Sequence, residues 1–191
     1  MTDHAALSRL DPDHSAVVVI DLQEKLLPAI EARERILERT RLLLRAADVL
    51  ELPVVLTSQY ASGLGPVVAP IRELTSAEPA DKTSFGCFDS PEFCRALDLG
   101  ASGRTTLVVA GIETHICVAQ TVLAALERGL DVHIMADATG SRSPDDRAIG
   151  LRRMERAGAV VSSVEMAVYE CLRASDTKAF KALLPHLKER G

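Results

Sequence analysis

The sequence has 191 residues, a length that suits one domain and allows a buried core without disulfides or a structural metal. Aromatic residues make up 3% of it and Trp is absent, which predicts an aliphatic core and argues against the base-stacking surfaces of single-strand nucleic-acid-binding proteins. A formal net charge of −5 argues against nucleic acid or an anionic membrane as the main partner.

The N-terminus and the cysteines indicate the cellular setting. Met1–Ala5 contain no basic region followed by an apolar one, and no apolar run reaches the roughly 18 residues of a membrane helix. The cysteines are too few and too irregularly spaced for a secreted disulfide framework. We therefore expect a cytoplasmic protein with reduced thiols, in which Cys87, Cys94 and Cys171 are inert packing residues.

Strands and helices are predicted in alternation along the chain. The predicted strands are Ala16–Ile20, Pro53–Thr57, a short strand within Pro79–Gly86, Thr105–Ala110, Val132–Ala136 and Val160–Ser163. The predicted helices are about Glu34–Leu50, a helix beginning at Ser90-Pro91, Glu113–Arg128, a helix from Ser143 to Arg156, Glu165–Leu172 and Thr177–Lys188. A polar leader occupies residues 1–15, and Gln59–Pro66 is predicted to be a loop.

This alternation predicts an α/β fold: a doubly wound, mostly parallel six-stranded sheet with helices on both faces. We predict one domain over residues 1–191, with its core at about 16–172 and a C-terminal helix at about 177–188. Ligands of such sheets bind beyond the carboxyl ends of the strands.

Asp21, Lys82 and Cys117 each lie at or just after the end of a predicted strand. An apolar run stops at Gly111 and a helix-like pattern follows, which predicts Cys117 in the first turn of a helix, where unpaired N–H groups and the helix dipole favour a thiolate. Each residue also has an ordinary interpretation. Cys117 can be a buried apolar residue, Asp21 a helix cap and Lys82 a solvated turn residue.

If the three side chains meet, they form a group suited to nucleophilic catalysis. Cys117 would be the nucleophile, and the positive charge of Lys82 would hold its thiolate. Asp21 would accept the thiol proton and later pass it to a leaving nitrogen. Such a group needs no histidine.

Three segments resemble, in the same order, the signature segments of the isochorismatase-like cysteine hydrolases, a superfamily that includes nicotinamidases and carbamoylsarcosine amidases. They are Val19-Ile20-Asp21-Leu22-Gln23, Asp81-Lys82-Thr83-Ser84-Phe85 and Gly111-Ile112-Glu113-Thr114-His115-Ile116-Cys117-Val118. The resemblance extends from about Ala16 to Leu172 and includes Asp137–Ser143. It implies a catalytic triad of Asp21, Lys82 and Cys117 on a doubly wound sheet. It also implies a cis peptide at Ile112–Glu113 and an oxyanion hole formed by the backbone N–H groups of Glu113 and Cys117.

The chain is most similar to the small isochorismatase-domain proteins of undefined substrate, through Ser58-Gln59-Tyr60, Gly63-Leu64-Gly65-Pro66 and Val164-Glu165-Met166-Ala167. Nicotinamidases of the family hold a metal with an Asp and two His after the second strand. This chain has Thr57–Gly63 there and no histidine between His14 and His115. We therefore expect no metal and no other cofactor, which puts nicotinamidase activity in doubt.

The neighbours of these residues are candidates for a substrate pocket. They are Gln23, Gln59, Tyr60, Phe85 and Phe88, of which Gln23 can equally tie the turn and the two phenylalanines can equally be core. We interpret His115 as structural or interfacial and Thr114 as a helix cap. The basic run Arg147, Arg152, Arg153 and Arg156 is interpreted as a solvated or subunit-contact face of a helix.

The sequence thus predicts a cofactor-free cysteine hydrolase that cleaves a small amide, ureide or carbamoyl C–N bond through a thioester on Cys117. Isochorismatases proper resemble this fold but lack the cysteine, so enol-ether hydrolysis is the less favoured activity. Two further alternatives are a scaffold or binding protein with vestigial activity, and a redox-active thiol protein. The family resemblance also implies a homo-oligomer, with the C-terminal helices as candidate contacts.

Overall fold

The structure, a computed structural model, describes residues 9–188. The sheet found there has six strands, all parallel: β1 (Ser15–Ile20), β2 (Val54–Gln59), β3 (Ala80–Lys82), β4 (Thr106–Ile112), β5 (Asp131–Gly140) and β6 (Val160–Ser162). Their order across the sheet is β3-β2-β1-β4-β5-β6. The predicted doubly wound α/β fold is confirmed, and the order reverses between β1 and β4.

The helices among these residues are α1 (Arg33–Val49), α2 (Ala61–Leu64), α3 (Ala69–Arg72), α4 (Pro91–Leu97), α5 (Leu99–Ser102), α6 (Ala119–Glu127), α7 (Pro144–Arg156), α8 (Val164–Leu172) and α9 (Lys178–Lys188). Short 3₁₀ turns cover Pro12–His14, Leu27–Ala29 and Cys87–Asp89, and a π-helical turn covers Thr114–Val118. The predicted caps Ser90 and Ser143 accept hydrogen bonds from the backbone N–H groups of Phe93 and Asp146.

The hydrophobic core is divided between the two faces of the sheet. Every residue of β1 is buried, as in the central strand of a parallel sheet. Because neighbouring side chains of a strand point to opposite faces, Val17 and Val19 pack with α1, α8 and α9, whereas Val18 and Ile20 pack with α4, α6 and α7.

Three predicted boundaries are wrong. β4 continues to Ile112, and β5 continues past Ala136 to Gly140, because a bulge between its two paired segments lets the strand resume beside the end of β4. The segment predicted as a loop over Gln59–Pro66 begins within β2 and contains α2.

Gly111 is required where β4 meets β1. It pairs with Ile20, has a φ of 120°, and a Cβ there would overlap the backbone of Ile20. Absence of a side chain at Gly111 therefore lets the chain approach β1 closely just before the segment that carries Cys117.

Most of the predicted polar leader lies outside the described residues, which begin at Arg9. The part within them forms the 3₁₀ turn Pro12–His14 and the first residue of β1. No helix within residues 9–188 is long and apolar enough to cross a membrane.

Candidate active site

A cavity of about 440 Å³ opens at the carboxyl ends of the strands, beside the point where the strand order reverses. Segments that follow β1 and β4 form its walls, and β2 contributes Gln59. The lining residues are Lys25, Leu26, Ala29, Gln59, Leu64, Phe85, Ile112, Glu113, Ile116, Cys117 and Arg142. The Cys117 side chain is therefore next to a space that a small molecule can enter.

Asp21 and Lys82 form a buried ion pair. Lys82 Nζ lies 2.8 Å from Asp21 Oδ2, and neither side chain has exposed surface. The hydroxyl of Thr57 donates to the other carboxylate oxygen over 2.6 Å. Asp21 has a φ of 52°, in the left-handed region that Asp tolerates better than most residues, so β1 ends at this position. Three neighbouring strands thus contribute to one hydrogen-bonded group.

The Lys82 ammonium remains charged in this setting. Burial disfavours the charge, but the Asp21 carboxylate attracts the ammonium and accepts a hydrogen bond from it, which holds the pKa of Lys82 above its ordinary value. Lys82 also donates to Gln59 Oε1 over 2.7 Å and to the Ser84 carbonyl over 3.3 Å.

Cys117 lies in the π-helical turn Thr114–Val118 and not in the first turn of an α-helix as predicted. Its thiol is 7% exposed. Burial and the Asp21 carboxylate raise the pKa of Cys117 to about 12, although Lys82 acts in the opposite direction. Burial and the Asp21 carboxylate thus oppose the thiolate that a helix N-terminus was predicted to favour, and they favour the protonated thiol beside a carboxylate that can take its proton.

The backbone just before Cys117 contains a cis peptide bond, between Ile112 and Glu113. The Glu113 carbonyl accepts from the N–H groups of Ile116 and Val118. Glu113 and Cys117, whose backbone N–H groups are the predicted oxyanion hole, both line the cavity.

Two of the five pocket candidates line the cavity. They are Gln59 and Phe85, and the Phe85 side chain is 55% exposed at the mouth. Phe88 is instead a core residue, in edge-to-face contact with Phe93 and covered by the Arg128 guanidinium. Tyr60 is exposed at the start of α2 and is not among the lining residues.

Gln23 is a structural residue and does not line the pocket. It is fully buried, and its amide oxygen accepts from the Gln59 N–H over 2.7 Å. Its amide nitrogen donates to the carbonyl oxygens of Gln59 and Gly65 over 3.1 and 2.6 Å. The Gln23 side chain thus joins the segment after β1 to the end of β2 and supplies partners for the backbone groups of Gln59.

Sequence reasoning missed several lining residues. Leu26, Ala29, Leu64 and Ile116 form the apolar wall, and their spacing in the sequence is that of ordinary core residues. At the mouth, Arg142 forms an ion pair with Glu113 over 3.0 Å and donates its backbone N–H to the same carboxylate over 2.8 Å. The Asp137–Ser143 motif contains Arg142, and that was the available signal.

The residues around Cys117 differ in their contacts. His115 Nδ1 lies 3.0 Å from the Ser141 hydroxyl, in agreement with a structural role. Thr114 is not a helix cap as predicted, because its buried hydroxyl has no hydrogen-bond partner among the described residues. Arg147 is not a solvated residue, since it donates to the carbonyl oxygens of Ala136 and Thr139 beside the bulge of β5.

The remaining cysteines differ from one another. Cys94 is exposed and Cys171 is buried far from the site. Cys87 is buried close to Lys82 and Asp21, and both charges act on its thiol. Burial raises the pKa of this thiol to about 11. No motif indicates this position, because Cys87 reaches the site through the turn that follows β3.

Two further observations bear on alternative sites. No cluster of three or more His, Cys, Asp or Glu side chains able to hold a metal occurs within residues 9–188. A larger groove of about 570 Å³ lies beside the start of β2, but no cysteine, histidine or lysine lines it. The Cys117 thiol and the buried Asp21–Lys82 pair therefore favour the cavity at Cys117 as the candidate active site.

The isochorismatase domain profile matches residues 15–166. The chain belongs to the isochorismatase family. Among curated members, isochorismatase domain-containing protein 2A of Mus musculus is 36% identical over 185 residues, which cover 97% of this chain and 88% of the mouse protein. The secreted isochorismatase effector Isc1 of Phytophthora sojae is 34% identical over 187 residues, covering 96% and 89% of the two chains.

Solved isochorismatase-family structures have the same fold. The MAR1 ribonuclease from Caenorhabditis elegans is 35% identical with a TM-score of 0.88, over 96% of this chain and 95% of the other. YcaC from Pseudomonas aeruginosa, solved with hexane-2,5-diol and covalent acrylamide, is 30% identical with a TM-score of 0.86, over 94% and 91%. YcaC from Escherichia coli, described as an octameric hydrolase of unknown specificity, is 28% identical with a TM-score of 0.86, over 93% and 90%. The family and its hydrolase fold support a hydrolytic role for this chain.

Proposed function

We propose that this protein is a cofactor-free cysteine hydrolase that cleaves a small amide, ureide or carbamoyl C–N bond. The observation that carries the proposal is the placement of the Cys117 sulfur at the wall of a cavity, with the buried Asp21–Lys82 ion pair behind it. Family membership supports hydrolysis. A covalent acrylamide in the related P. aeruginosa protein is consistent with a reactive nucleophile in this fold, since acrylamide alkylates thiols.

The first half of the proposed reaction forms a thioester. Asp21 takes the proton of the Cys117 thiol, and the sulfur attacks the carbonyl carbon of the substrate. The electron pair of the carbonyl moves onto its oxygen, which accepts hydrogen bonds from the backbone N–H groups of Glu113 and Cys117. When this pair returns to form the C=O bond, the C–N bond breaks, and the Asp21 proton moves to the departing nitrogen as ammonia or an amine leaves.

The second half releases the acid. Asp21, now ionised again, takes a proton from water as the water oxygen attacks the thioester carbon. The tetrahedral intermediate collapses, the C–S bond breaks, and the proton on Asp21 returns to the Cys117 sulfur. Lys82 remains charged throughout and stabilises whichever of the sulfur and the carboxylate is negative.

The chemistry of the cavity limits the substrate. Its walls are mostly apolar, and its volume of about 440 Å³ suits a molecule of small-metabolite size. We therefore propose small amides and ureides as the substrate class. RNA belongs in the same screen because one relative is described as a ribonuclease, although a net charge of −5 does not favour it.

A screen with matched variants tests the assignment. Hydrolysis of small amides and ureides is followed by ammonia release for the wild type, Cys117→Ala and Cys94→Ala, since Cys94 is an exposed thiol outside the site. We expect Cys117→Ala to lose at least 10³-fold in kcat/KM and Cys94→Ala to retain wild-type activity. A wild-type thioester trapped at Cys117 and seen by mass spectrometry would identify the nucleophile. Full activity of Cys117→Ala would contradict it.

Two further parts of the proposal concern assembly and location. We propose a homo-oligomer, because the E. coli relative is octameric and the large apolar side chains Ile149, Met166 and Tyr169 are exposed on α7 and α8. Light scattering coupled to gel filtration measures this directly. Free thiols at the four cysteines fit the proposed cytoplasmic location.

A further inference from the structure

The three protons of the Lys82 ammonium are all used in the resting structure. They are donated to Asp21 Oδ2 at 2.8 Å, Gln59 Oε1 at 2.7 Å and the Ser84 carbonyl at 3.3 Å. The Cys117 sulfur is not among these acceptors, within the part of the chain that the structure describes. To donate a hydrogen bond to a Cys117 thiolate, the Lys82 ammonium must therefore first give up one of these oxygens.

The three acceptors differ in how easily they can be exchanged. Asp21 is the buried ion-pair partner, and Ser84 contributes a backbone carbonyl. Gln59 alone of the three is a neutral side chain, and it also lines the cavity. Its contact with Lys82 is therefore the one that can change without breaking the ion pair or moving the backbone.

Gln59 is itself held in place from two directions. Its amide nitrogen donates to the Thr83 carbonyl over 2.8 Å, which orients the oxygen towards Lys82. Its backbone N–H and carbonyl are both bonded to the buried Gln23 amide. A side chain fixed in this way holds its acceptor oxygen at a defined position, which a solvated glutamine does not do.

We propose that Gln59 is a positioning residue whose amide oxygen keeps the Lys82 ammonium on oxygen acceptors and away from the Cys117 sulfur. The inference rests on the proposed role of Cys117 as nucleophile. It assigns to Gln59 a role in controlling the reactivity of that nucleophile through Lys82, and not a role in contacting the reacting atoms.

The sign of the effect follows from electrostatics. The titratable groups that act on Cys117 are Asp21, Lys82 and Cys87, and the charged residues at the cavity are Lys25, Glu113 and Arg142. Removing the Gln59 oxygen changes none of these charges but leaves one Lys82 N–H without an acceptor. The ammonium then gains more from a nearby anion, so the thiolate becomes more favourable. A carboxylate at position 59 does the opposite, because it binds Lys82 more tightly and repels the thiolate.

Alkylation of Cys117 by iodoacetamide measures this without any substrate. The second-order rate constant is followed between pH 7 and 9 by mass spectrometry of the Cys117 peptide, for the wild type, Gln59→Met, Gln59→Glu and Gln120→Met. Gln120 is an exposed glutamine on α6 and supplies the matched control. Cys94, also exposed, serves as the internal reference in each sample. Thermal unfolding confirms that each variant is folded.

We expect alkylation about tenfold faster in Gln59→Met, which corresponds to a thiol pKa about one unit lower, and slower alkylation in Gln59→Glu. Gln120→Met should match the wild type. Equal rates in all four proteins, or changes of the same sign in both Gln59 variants, would overturn the inference, because simple loosening of the site moves both variants alike. If these rates follow the expected order but Cys117→Ala still hydrolyses the substrate, the proposed function fails and the Gln59 inference stands.

Discussion

Lys82 Nζ and Asp21 Oδ2 are 2.8 Å apart, and both side chains are removed from solvent. Burying two charges costs solvation free energy that their mutual attraction does not fully offset. Such a pair therefore contributes little to the stability of the fold. Its position at the carboxyl ends of β1 and β3, with β2 between them and a thiol nearby, is consistent with the proposed catalytic role.

Breaking this pair from one side is predicted to destabilise the fold. Lys82→Met leaves a buried carboxylate without its cation, and Asp21→Asn leaves a buried ammonium without its anion. We expect each to lower the free energy of unfolding by about 3–5 kcal/mol. The double variant, which buries no charge, should lose clearly less than the sum of the two. Urea unfolding of all four proteins gives the coupling energy, and simple additivity would contradict a paired site.

Stability is predicted to fall at high pH because of the buried thiols. The folded pKa values of Cys117, Cys87 and Cys171 are about 12, 11 and 11, above the ordinary thiol value. Raised pKa values contribute stability that is complete below the unfolded pKa of about 8.5 and is lost as the pH rises through the folded values. Between pH 9 and 11 we expect a loss of up to about 1.4 kcal/mol per pH unit for each thiol.

The remote thiol offers a control for this slope. Cys171→Ala removes one buried thiol, so the loss of stability per pH unit should be smaller by about the contribution of one thiol. The midpoint of urea unfolding at each pH measures this loss. An unchanged slope would show that other groups cause the alkaline loss.

Gly111 is predicted to tolerate no side chain. Gly111→Ala would place a Cβ against the backbone of Ile20 at a φ of 120°, and we expect a loss on the order of 3 kcal/mol or more. Gly100→Ala is the matched control, because nothing lies within 4 Å of a Cβ there. Its stability should stay within about 1 kcal/mol of the wild type. Thermal unfolding of the two variants compares them, and equal stability would contradict the close approach of β4 to β1.

The Arg142–Glu113 ion pair at the mouth of the cavity is predicted to contribute more to stability than an exposed ion pair does. The Glu113 side chain is 11% exposed, whereas both members of the Arg95–Glu92 pair are at least half exposed. We therefore expect Arg142→Ala to cost more stability than Arg95→Ala, with the loss for Arg142→Ala at or below about 1 kcal/mol. High salt should shrink both losses. A greater loss for Arg95→Ala would contradict the difference in burial.

Much of the fold could be predicted because its signals are local. Apolar runs such as Ala16–Ile20 and the capping pattern at Ser143 each indicate an element within a few residues, and the observed bounds differ by one or two positions. The bulge of β5 could not be predicted, because it depends on pairing with Gly111 and Ile112 of another strand.

The site was predicted only in part. Strand ends placed Asp21, Lys82 and Cys117 at one edge of the sheet because parallel strands bring their carboxyl ends together. The periodicity of apolar residues does not predict that the Gln23 side chain is hydrogen-bonded to the backbone of Gln59 or that Phe88 belongs to the core. Those outcomes depend on which side chains meet across segments far apart in the chain.

The sequence by itself determined the α/β class, the positions of the strands and the family, since these follow from the periodicity and motifs of neighbouring residues. Only the tertiary structure decided the protonation of Cys117 and the three acceptors of Lys82. Both depend on burial and on the distances between charges, and a linear order of residues contains neither.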